Sequence, residues 1–482
     1  MKNNSKELSR RNFLKLSGVG AAAAGSIGLG LAGYQSGKDF DNYPGRESFH
    51  GQAQDFNRKK FEIDDSPYTQ VDRTERVDAR TGVIFARSSL LNRHWNEATG
   101  VDGLPEPIRS FYKEHPVLLE EDLRFRSEVI PNFRKDNQEY GDEFILAQAW
   151  SDAMHAVSPE IIKGDPKISD FPKGPRYGEP TEPYKLKSKG KTSELIKYMS
   201  YQFGSQLTGI TKLNPNWVYK HQMPGRSESN DEEFKVPDHW NNAIVIGSPM
   251  SWDPMFANPN YGTSYDAYSR ITITAYRLAT FIRKLGYAAR PHTPGMDYDL
   301  MVVPVAIDAG LGEQGRNGCL ITPEFGANIR PAIITTNMPL SYDKPIKFGV
   351  DKFCDTCKIC ADKCPSGSIS KRDKSIVRGY KRWSINVSTC YNFWFSNLGN
   401  IGCRLCIANC PYTRKSNWLH RSALNLTSND PTGLSHKMFT EMQKGFYPSP
   451  DAQEYYSPSF GGSNASYREA PWWLKTDDFL KL

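Results

Sequence analysis

Apolar residues recur at helical spacing between positions 266 and 285, which is the clearest amphipathic pattern in the chain. Six of them share one face and Gly286 follows as a helix stop: Ile271, Ala275, Leu278, Ala279, Ile282 and Leu285. A second helix is predicted to begin with Ser193 as N-cap and to end at Gly209, with an apolar face of Leu195, Tyr198, Met199 and Leu207. Short apolar runs at 243–246 and 301–303 predict buried strands. These patterns together predict a core of both helices and strands.

Long polar stretches separate these elements. Residues 34–163 are rich in Arg, Asp and Asn with little periodicity, so we expect an irregular region that wraps the body, with one short helix near 106–113. Residues 164–191 are dense in Pro, Gly and Lys, which is typical of an ordered surface loop. Two glycine-rich segments, 309–318 and 321–330, would let the backbone approach a bulky ligand closely, or else form tight turns. Neither has the glycine spacing of a dinucleotide or P-loop nucleotide site.

The N-terminus predicts export. It reads Ser9-Arg10-Arg11-Asn12-Phe13-Leu14-Lys15 and continues into uncharged residues 16–32, rich in Ala and Gly. Paired arginines before a modest apolar stretch that ends in small residues are typical of a twin-arginine signal. A membrane anchor is the alternative, but this stretch is short and only moderately apolar for a span.

The charge balance argues against nucleic acid as a partner. The chain of 482 residues has a formal charge of +7, of which residues 1–33 contribute +4 from five basic residues and one acid, leaving about +3. No basic stripe interleaved with aromatic residues is present. The length suits two or three domains.

Eight of the nine cysteines fall into two runs with iron–sulfur spacing. The first run has two-residue intervals and ends in Cys-Pro: Cys354, Cys357, Cys360 and Cys364. The second run also ends in Cys-Pro: Cys390, Cys403, Cys406 and Cys410. In two-cluster ferredoxins the cysteine before the proline binds the other cluster. This crossover predicts one [4Fe–4S] cluster on Cys354, Cys357, Cys360 and Cys410, and another on Cys364, Cys390, Cys403 and Cys406.

Structural zinc and disulfides are the alternatives for these cysteines, but neither accounts for two runs that end in Cys-Pro. Two adjacent clusters conduct electrons. We therefore expect a further redox centre elsewhere on the chain.

Five features in one order resemble the catalytic subunits of corrinoid-dependent respiratory reductive dehalogenases. They are the twin-arginine signal, A-Y-S-R to F-I-R-K-L-G-Y at 267–287, A-G-L-G at 309–312, I-T-P-E-F-G at 321–326 and the cysteine set. The resemblance is dense from about residue 198 to 412 and thin before 164 and after 420. It implies an α+β fold in which a nitroreductase-like corrinoid-binding core carries a bacterial two-[4Fe–4S] ferredoxin-like module.

The same resemblance implies five domains. We expect a signal peptide at 1–33, an N-terminal wrapping region at 34–163 and a corrinoid and substrate core at 164–345. The ferredoxin-like module is expected at 346–415 and a C-terminal wrapping tail at 416–482.

The chemistry implied by the resemblance is the reductive cleavage of a carbon–halogen bond of an organohalide. Electrons would pass through the two clusters to a base-off cobamide whose cobalt reacts as Co(I). No histidine lies in the D-x-H-x-x-G pattern of enzymes that replace the lower base of the corrinoid, which agrees with this family. Five residues are expected to contact the cofactor, with apolar packing as the alternative for the cysteine: Gly310, Gly312, Gly315, Arg316 and Cys319.

The catalytic residues are also carried over from the resemblance. Tyr268 matches the proton-donating tyrosine of the family, and a phenol is protonated at neutral pH. Arg330 matches the family's arginine, whose guanidinium favours the phenolate left after proton transfer. The alternatives are aromatic packing for Tyr268 and a surface ion pair for Arg330. Some members have a substrate-binding asparagine at the position aligned with Pro294, which has no amide, so His292 and Thr293 become the neighbouring candidates for that contact.

The family implies three partners, none of them a nucleic acid. They are a small organohalide substrate, a small integral-membrane anchor protein and an electron donor from the respiratory chain. The chain would be exported and held by the anchor at the outer face of the cytoplasmic membrane. Two other functions share part of the pattern: an epoxyqueuosine reductase-like tRNA-modifying enzyme, and a non-catalytic iron–sulfur electron-transfer subunit.

Overall fold

The computed structural model describes residues 58–71, 75–129, 183–221, 233–252, 255, 262–294, 298–398, 402–415 and 418–446. The predicted signal peptide and the end of the predicted tail lie outside these residues. The first helices are α1 (Ala79–Gly82), α2 (Ile84–His94), α3 (Ile108–Glu114), α4 (Pro116–Arg124), α5 (Lys189–Phe203), α6 (Gly262–Lys284) and α7 (Val302–Asp308). The later ones are α8 (Val350–Cys357), α9 (Ile359–Asp362), α10 (Val387–Leu398), α11 (Leu405–Ala408), α12 (Trp418–Ser428) and α13 (Leu434–Phe446).

The strands form one larger sheet and two small ribbons. They are β1 (Leu207–Lys212), β2 (Asn242–Pro249), β3 (Ala289–His292), β4 (Glu313–Gln314), β5 (Leu320–Ile321), β6 (Ile329–Thr336), β7 (Ser375–Val377) and β8 (Tyr380–Arg382). The larger sheet has the order β1-β2-β6-β3, and all its neighbouring pairs are antiparallel. The α+β prediction is confirmed, and the apolar run at 243–246 lies in the fully buried strand β2.

Both faces of this sheet are covered. Side chains alternate between the faces of a strand, so Ile244 and Ile334 pack towards α6, in a cluster with Ile271 and Leu278. Val245 and Ile333 point the other way, into a cluster that contains residues of α7 and the cysteine-rich segment. The predicted iron–sulfur segment therefore packs on the face of the sheet opposite α6.

Helix α6 confirms the strongest prediction. It spans Gly262–Lys284, and its predicted apolar face is buried. Gly286 follows with a φ of 82°, a conformation that glycine adopts without steric penalty.

Helix α5 forms near the predicted place but with other limits and another buried face. Its N-cap is Ser188, and Gly204 ends it with a φ of 117°. Ser193 lies inside the helix, where its hydroxyl donates to the carbonyl of Ser341, while Leu195 and Tyr198 are exposed. The prediction was wrong because buried serines of this helix find hydrogen-bond partners in the fold, so a partly polar face can be buried.

Two further predictions were wrong. The apolar run at 301–303 begins helix α7 rather than a strand, since a run this short fits either structure. Gly209 does not end a helix but lies in β1, where an added Cβ would be 2.1 Å from the carbonyl oxygen of Ala309.

The part of the N-terminal region that the structure describes is more helical than expected. The short helix near 106–113 is confirmed as α3, but α2 and α4 lie beside it. A buried ion pair holds these helices together, because Arg87 Nε donates to Asp122 at 2.9 Å and the Tyr112 hydroxyl donates to the same carboxylate at 2.8 Å. Contacts between residues this far apart in sequence produce no local periodic pattern, so the sequence did not predict them. The five domain boundaries stay predictions.

Candidate functional site

Cys354, Cys357, Cys360 and Cys410 form the first cysteine group. The first two lie on α8, Cys360 lies on α9 and Cys410 follows α11. Burial raises the pKa of each thiol, to about 12 for Cys357, and the charge of Cys410 raises it further at the other three. Electrostatic effects of this kind require short separations. The four thiols are therefore near one another, and their binding of one shared cluster stays a prediction.

The second cysteine group is Cys364, Cys390, Cys403 and Cys406. Burial raises the pKa of Cys390 to about 11, and the charge of Cys364 acts on both Cys390 and Cys403. Burial also raises the pKa of Cys406, where the charges of Cys319, Cys403 and Cys390 add to the effect. All of the cysteines are free thiols.

The same loop geometry occurs once in each group. Lys358 and Arg404 are non-glycine residues with φ of 53° and 56°, and each follows a cysteine. In this left-handed conformation the next backbone N–H, of Ile359 or Leu405, donates to the preceding sulfur and lowers the pKa of Cys357 or Cys403. An N–H bond to sulfur stabilises a thiolate, which is the form that binds iron.

The chemistry of these donors fits iron–sulfur clusters. A buried thiolate needs a compensating cation, and a [4Fe–4S] cubane binds each of its four thiolates through a different iron. Its ligand set is therefore wider than that of a single ion. Within the described ranges, no group of three or more His, Cys, Asp or Glu side chains is placed to hold a metal ion.

Tyr268 and Arg330 meet at one end of the sheet. Tyr268 lies on α6 and Arg330 is the second residue of β6. The guanidinium carbon of Arg330 is 5.7 Å from the centre of the Tyr268 ring. Two hydrogen bonds hold the guanidinium, from Nη1 to the carbonyl of Ile329 and from Nη2 to Ser264 Oγ, each 3.1 Å long. The structure thus brings the two predicted catalytic residues together, whereas their roles stay predictions.

A second tyrosine, which the sequence analysis missed, lies in the same place. The hydroxyl of Tyr298 donates to the carbonyl of Pro331 at 2.6 Å, next to Arg330. Burial raises the pKa of Tyr298 well above that of a free phenol; Tyr268 raises it further and Arg330 lowers it. Tyr298 belongs to none of the recognised motifs, so no local signal points to it.

Three buried polar atoms near this pair in sequence and strand register have no hydrogen-bond partner among the described residues. They are Arg330 Nε, Asn328 Oδ1 and Thr293 Oγ1. His292 is the other candidate near Pro294, and both of its ring nitrogens are already hydrogen-bonded to protein side chains. They lie 3.0 Å from Asp299 Oδ2 and 2.9 Å from Thr335 Oγ1. Buried polar atoms are nearly always satisfied in folded proteins, so a water molecule or a polar ligand is expected at these three.

The glycines predicted to contact the cofactor face protein atoms. An added Cβ would be 2.3 Å from the carbonyl oxygen of Lys344 at Gly310 and 2.0 Å from that of Ile321 at Gly312. At Gly315 it would be 2.9 Å from the Ile321 side chain. These contacts explain the glycines by close packing of the chain on itself, and a cofactor contact stays a prediction.

Arg316 supports the first cysteine group from outside. It is almost fully buried, and its Nε donates to the carbonyl of Cys354 at 3.0 Å. Its Nη1 donates to the carbonyls of Ser370 and Arg372, both at 2.9 Å. The guanidinium is thus used to hold backbone around Cys354, and the predicted corrinoid contact is untested.

Cys319 is the one cysteine outside the two groups, and its backbone N–H donates to Asn317 Oδ1 at 3.2 Å. Burial raises its pKa, Arg330 lowers it and Cys410 raises it. Cys319 in turn raises the pKa of Cys390 and Cys406. The charges of Arg330 and of cysteines from both groups therefore act on this buried thiol or are affected by it.

Comparisons with known proteins agree with this arrangement. A family model described as a 4Fe-4S dicluster domain matches residues 353–413, and one for the twin-arginine translocation signal matches residues 7–26, which supports the predicted export. The tetrachloroethene reductive dehalogenase of Sulfurospirillum multivorans is 32% identical over 279 residues, covering 51% of this chain and 54% of that protein. The chain therefore spans about half the length of the curated relatives it matches.

Two other matches bear on the fold and on the alternative function. A solved structure of a reductive dehalogenase, discussed in terms of B12-dependent dehalogenation, superposes with a TM-score of 0.61 at 21% identity, over 83% of this chain and 50% of that one. The epoxyqueuosine reductase of Listeria monocytogenes is 29% identical over 252 residues, covering 46% of this chain and 64% of that protein. The sequence matches to dehalogenases are stronger, and the fold is shared with them. We conclude that this chain is similar in sequence to reductive dehalogenases over about half of their length and shares their fold.

Proposed function

We propose that this chain is the catalytic subunit of a corrinoid-dependent reductive dehalogenase that acts at the end of a respiratory chain. The observation that carries the proposal is the placement of Arg330 5.7 Å from the Tyr268 ring, in a chain whose residues 353–413 match a 4Fe-4S dicluster domain. A proton donor, a cation beside it and a route for electrons are the parts that reductive dehalogenation requires.

The polar atoms without partners near this pair support a corrinoid as the missing cofactor. When bound, a corrinoid supplies a cobalt centre that cleaves carbon–halogen bonds reductively. The amide groups around its ring both donate and accept hydrogen bonds. They would satisfy the donor Arg330 Nε, the acceptor Asn328 Oδ1 and the hydroxyl of Thr293, which are buried and unpartnered among the described residues.

The order of electron transfer is proposed from the position of Arg404. Arg404 lies between Cys403 and Cys406 and donates to Ser264 Oγ, which also accepts from Arg330, so a cluster on the second cysteine group would be the one nearer the reaction. The first group lies towards α13, where Phe353 and Cys357 pack against Phe439 and Met442. A cluster on the first group would therefore receive electrons from the donor and pass them to the second.

The proton comes from the hydroxyl of Tyr268. Overall, the organohalide takes up two electrons and one proton; the carbon–halogen bond breaks, a carbon–hydrogen bond forms and halide leaves. The phenolate that remains on Tyr268 is stabilised by the guanidinium of Arg330. Tyr298 stays protonated during this step, because burial and the charge of Tyr268 both raise its pKa.

The partners follow from export and from the family. The twin-arginine signal delivers the folded protein across the cytoplasmic membrane. Within the described part of the chain, no helix is both long and apolar enough to span a membrane. We propose that a small integral-membrane protein holds the chain at the outer face of that membrane, where an electron donor of the respiratory chain reaches it.

The first test is metal content. Anaerobically purified protein reconstituted with cobamide is expected to contain one cobalt and about eight irons per chain. Tetrachloroethene is the first substrate to assay, because two curated relatives that are 32% identical are named for it. Eight irons without cobalt would favour an electron-transfer subunit instead.

The second test is Tyr268→Phe. We expect turnover to fall by about 100-fold or more, which is the usual contribution of a general acid, with cobalt and iron retained. Tyr265→Phe is the matched control, because this ring lies edge-on to Tyr268 at 6.3 Å on the same helix. Near-normal turnover in Tyr268→Phe would show that this residue is not the proton donor.

A further inference from the structure

Ser264 joins two arginines that are far apart in sequence. Its hydroxyl oxygen accepts from Arg330 Nη2 at 3.1 Å and from Arg404 Nε at 2.5 Å. The same hydroxyl donates towards Met250 Sδ at 3.2 Å. Ser264 is fully buried and lies one helical turn before Tyr268 on α6. A single serine therefore fixes the positions of two guanidinium groups at the end of the helix that carries the proton donor.

Arg404 belongs to the loop of the second cysteine group. It lies between Cys403 and Cys406 and is only 6% exposed. Its φ of 56° is uncommon for a residue with a side chain. The loop therefore keeps a large cationic side chain at a position where glycine would be conformationally easier.

Two guanidinium groups on one oxygen repel each other unless negative charge lies nearby. A [4Fe–4S] cluster with four thiolate ligands carries net negative charge, which increases on reduction. Its reduction potential depends on net charge and on the groups around it. Positive charge held between the second cysteine group and Tyr268 would stabilise both an electron on the cluster and a phenolate at Tyr268.

We propose that Arg404 raises the reduction potential of the cluster on the second cysteine group, and that Ser264 is the positioning residue that ties Arg404 to Arg330. The buried hydroxyl of Ser264 would then hold both the arginine that favours cluster reduction, Arg404, and the arginine that favours proton donation, Arg330. The claim about the reduction potential depends only on the presence of the dicluster domain, whereas the claim about Tyr268 rests on the proposed function.

The test is a redox titration followed by electron paramagnetic resonance on the full chain with both clusters, without substrate. In Arg404→Gln we expect one cluster to become about tenfold harder to reduce, a shift of about 59 mV to more negative potential for one electron. Arg404→Lys keeps the charge and should stay close to the wild-type potential. Ser264→Ala should shift the same cluster in the same direction by a smaller amount, and the other cluster should not move.

Thr272→Val is the matched control, because Thr272 is a fully buried residue of α6 two turns beyond Ser264 and valine has the same shape. If Arg404→Gln loses iron, Ser264→Ala carries the test, since it leaves the cysteine loop unchanged. Unchanged potentials in Ser264→Ala with full iron content, or equal shifts of both clusters, would overturn the proposal. A shift in a protein that does not dehalogenate would support this inference and reject the proposed function.

Discussion

Replacing Arg330 by glutamine tests the electrostatic part of the proposed reaction. The side chain keeps most of its length but loses its charge, whose centre lies 5.7 Å from that of the Tyr268 ring. At an effective dielectric constant of about 20, two unit charges at this separation interact with about 3 kcal/mol. Because the phenolate develops only as the proton leaves, most of this energy acts on the transition state. We therefore expect kcat to fall by about 100-fold, with a smaller change in KM.

The assay is steady-state dehalogenation under anaerobic conditions with a reduced viologen dye as electron donor. Iron and cobalt contents of wild type and variant are measured in the same preparations. Arg277→Gln is the control, since Arg277 is an exposed arginine on the helix that carries Tyr268. A loss below about threefold in Arg330→Gln, or an equal loss in Arg277→Gln, would refute the role of Arg330 in stabilising the phenolate.

Three other predictions concern the cysteines, the glycine-rich segment and a buried acid. The double variant Cys357→Ser with Cys410→Ser is expected to keep about four irons per chain, and Cys357→Ser with Cys406→Ser close to none; equal iron contents would contradict the two groups. Gly312→Ala is expected to lower the free energy of unfolding by about 1–3 kcal/mol in denaturant titrations, because the added Cβ would lie 2.0 Å from the carbonyl oxygen of Ile321. Gly445→Ala is the control and should not destabilise the protein, because no atom lies within 4 Å of its added Cβ. Burial raises the pKa of Glu313 above its unfolded value, so its contribution to stability is present below about pH 4.3 and is lost as the pH rises through the folded pKa. Glu313→Gln keeps an acceptor oxygen for the N–H groups of Phe348 and Val350, so it should gain stability relative to wild type between about pH 5 and pH 8, and a constant difference would contradict this.

The sequence was most informative where the chemistry is local. The spacing of the cysteines predicts which of them share a cluster, because a loop of two residues brings consecutive sulfurs to one centre wherever the rest of the chain goes. The match of residues 353–413 to a 4Fe-4S dicluster domain supports the iron–sulfur part of this prediction, and the assignment of each cysteine to a cluster stays a prediction. Helix α6 was predictable for a similar reason, since its apolar face repeats over several turns and Gly286 ends it.

Sequence patterns did not predict which side chains are buried where a tertiary contact supplies a hydrogen-bond partner or fills the space around a residue. Leu195 and Tyr198 are apolar yet exposed, while Ser193 and Ser200 of the same helix are buried because Ser341 and Thr208 satisfy their hydroxyls. At Gly310 and Gly312 of the glycine-rich segment, an added Cβ would meet the carbonyl oxygens of Lys344 and Ile321, so tight packing also explains these glycines, and the cofactor contact stays a prediction. A pattern of residue types does not contain the identity of these neighbours.

The sequence by itself determined the export signal, the two cysteine groups, the main helix of the core and the likeness to dehalogenases, each of which is encoded in residues near one another along the chain. Only the tertiary structure decided that Arg330 lies over Tyr268, that Tyr298 lies beside both, and that Ser264 holds Arg330 and Arg404 on one oxygen. These contacts join α6, the start of β6, the loop before Leu300 and the second cysteine loop. Their geometry depends on how the sheet, the helix and the cysteine-rich segment pack together, which no periodicity or spacing within a single segment records.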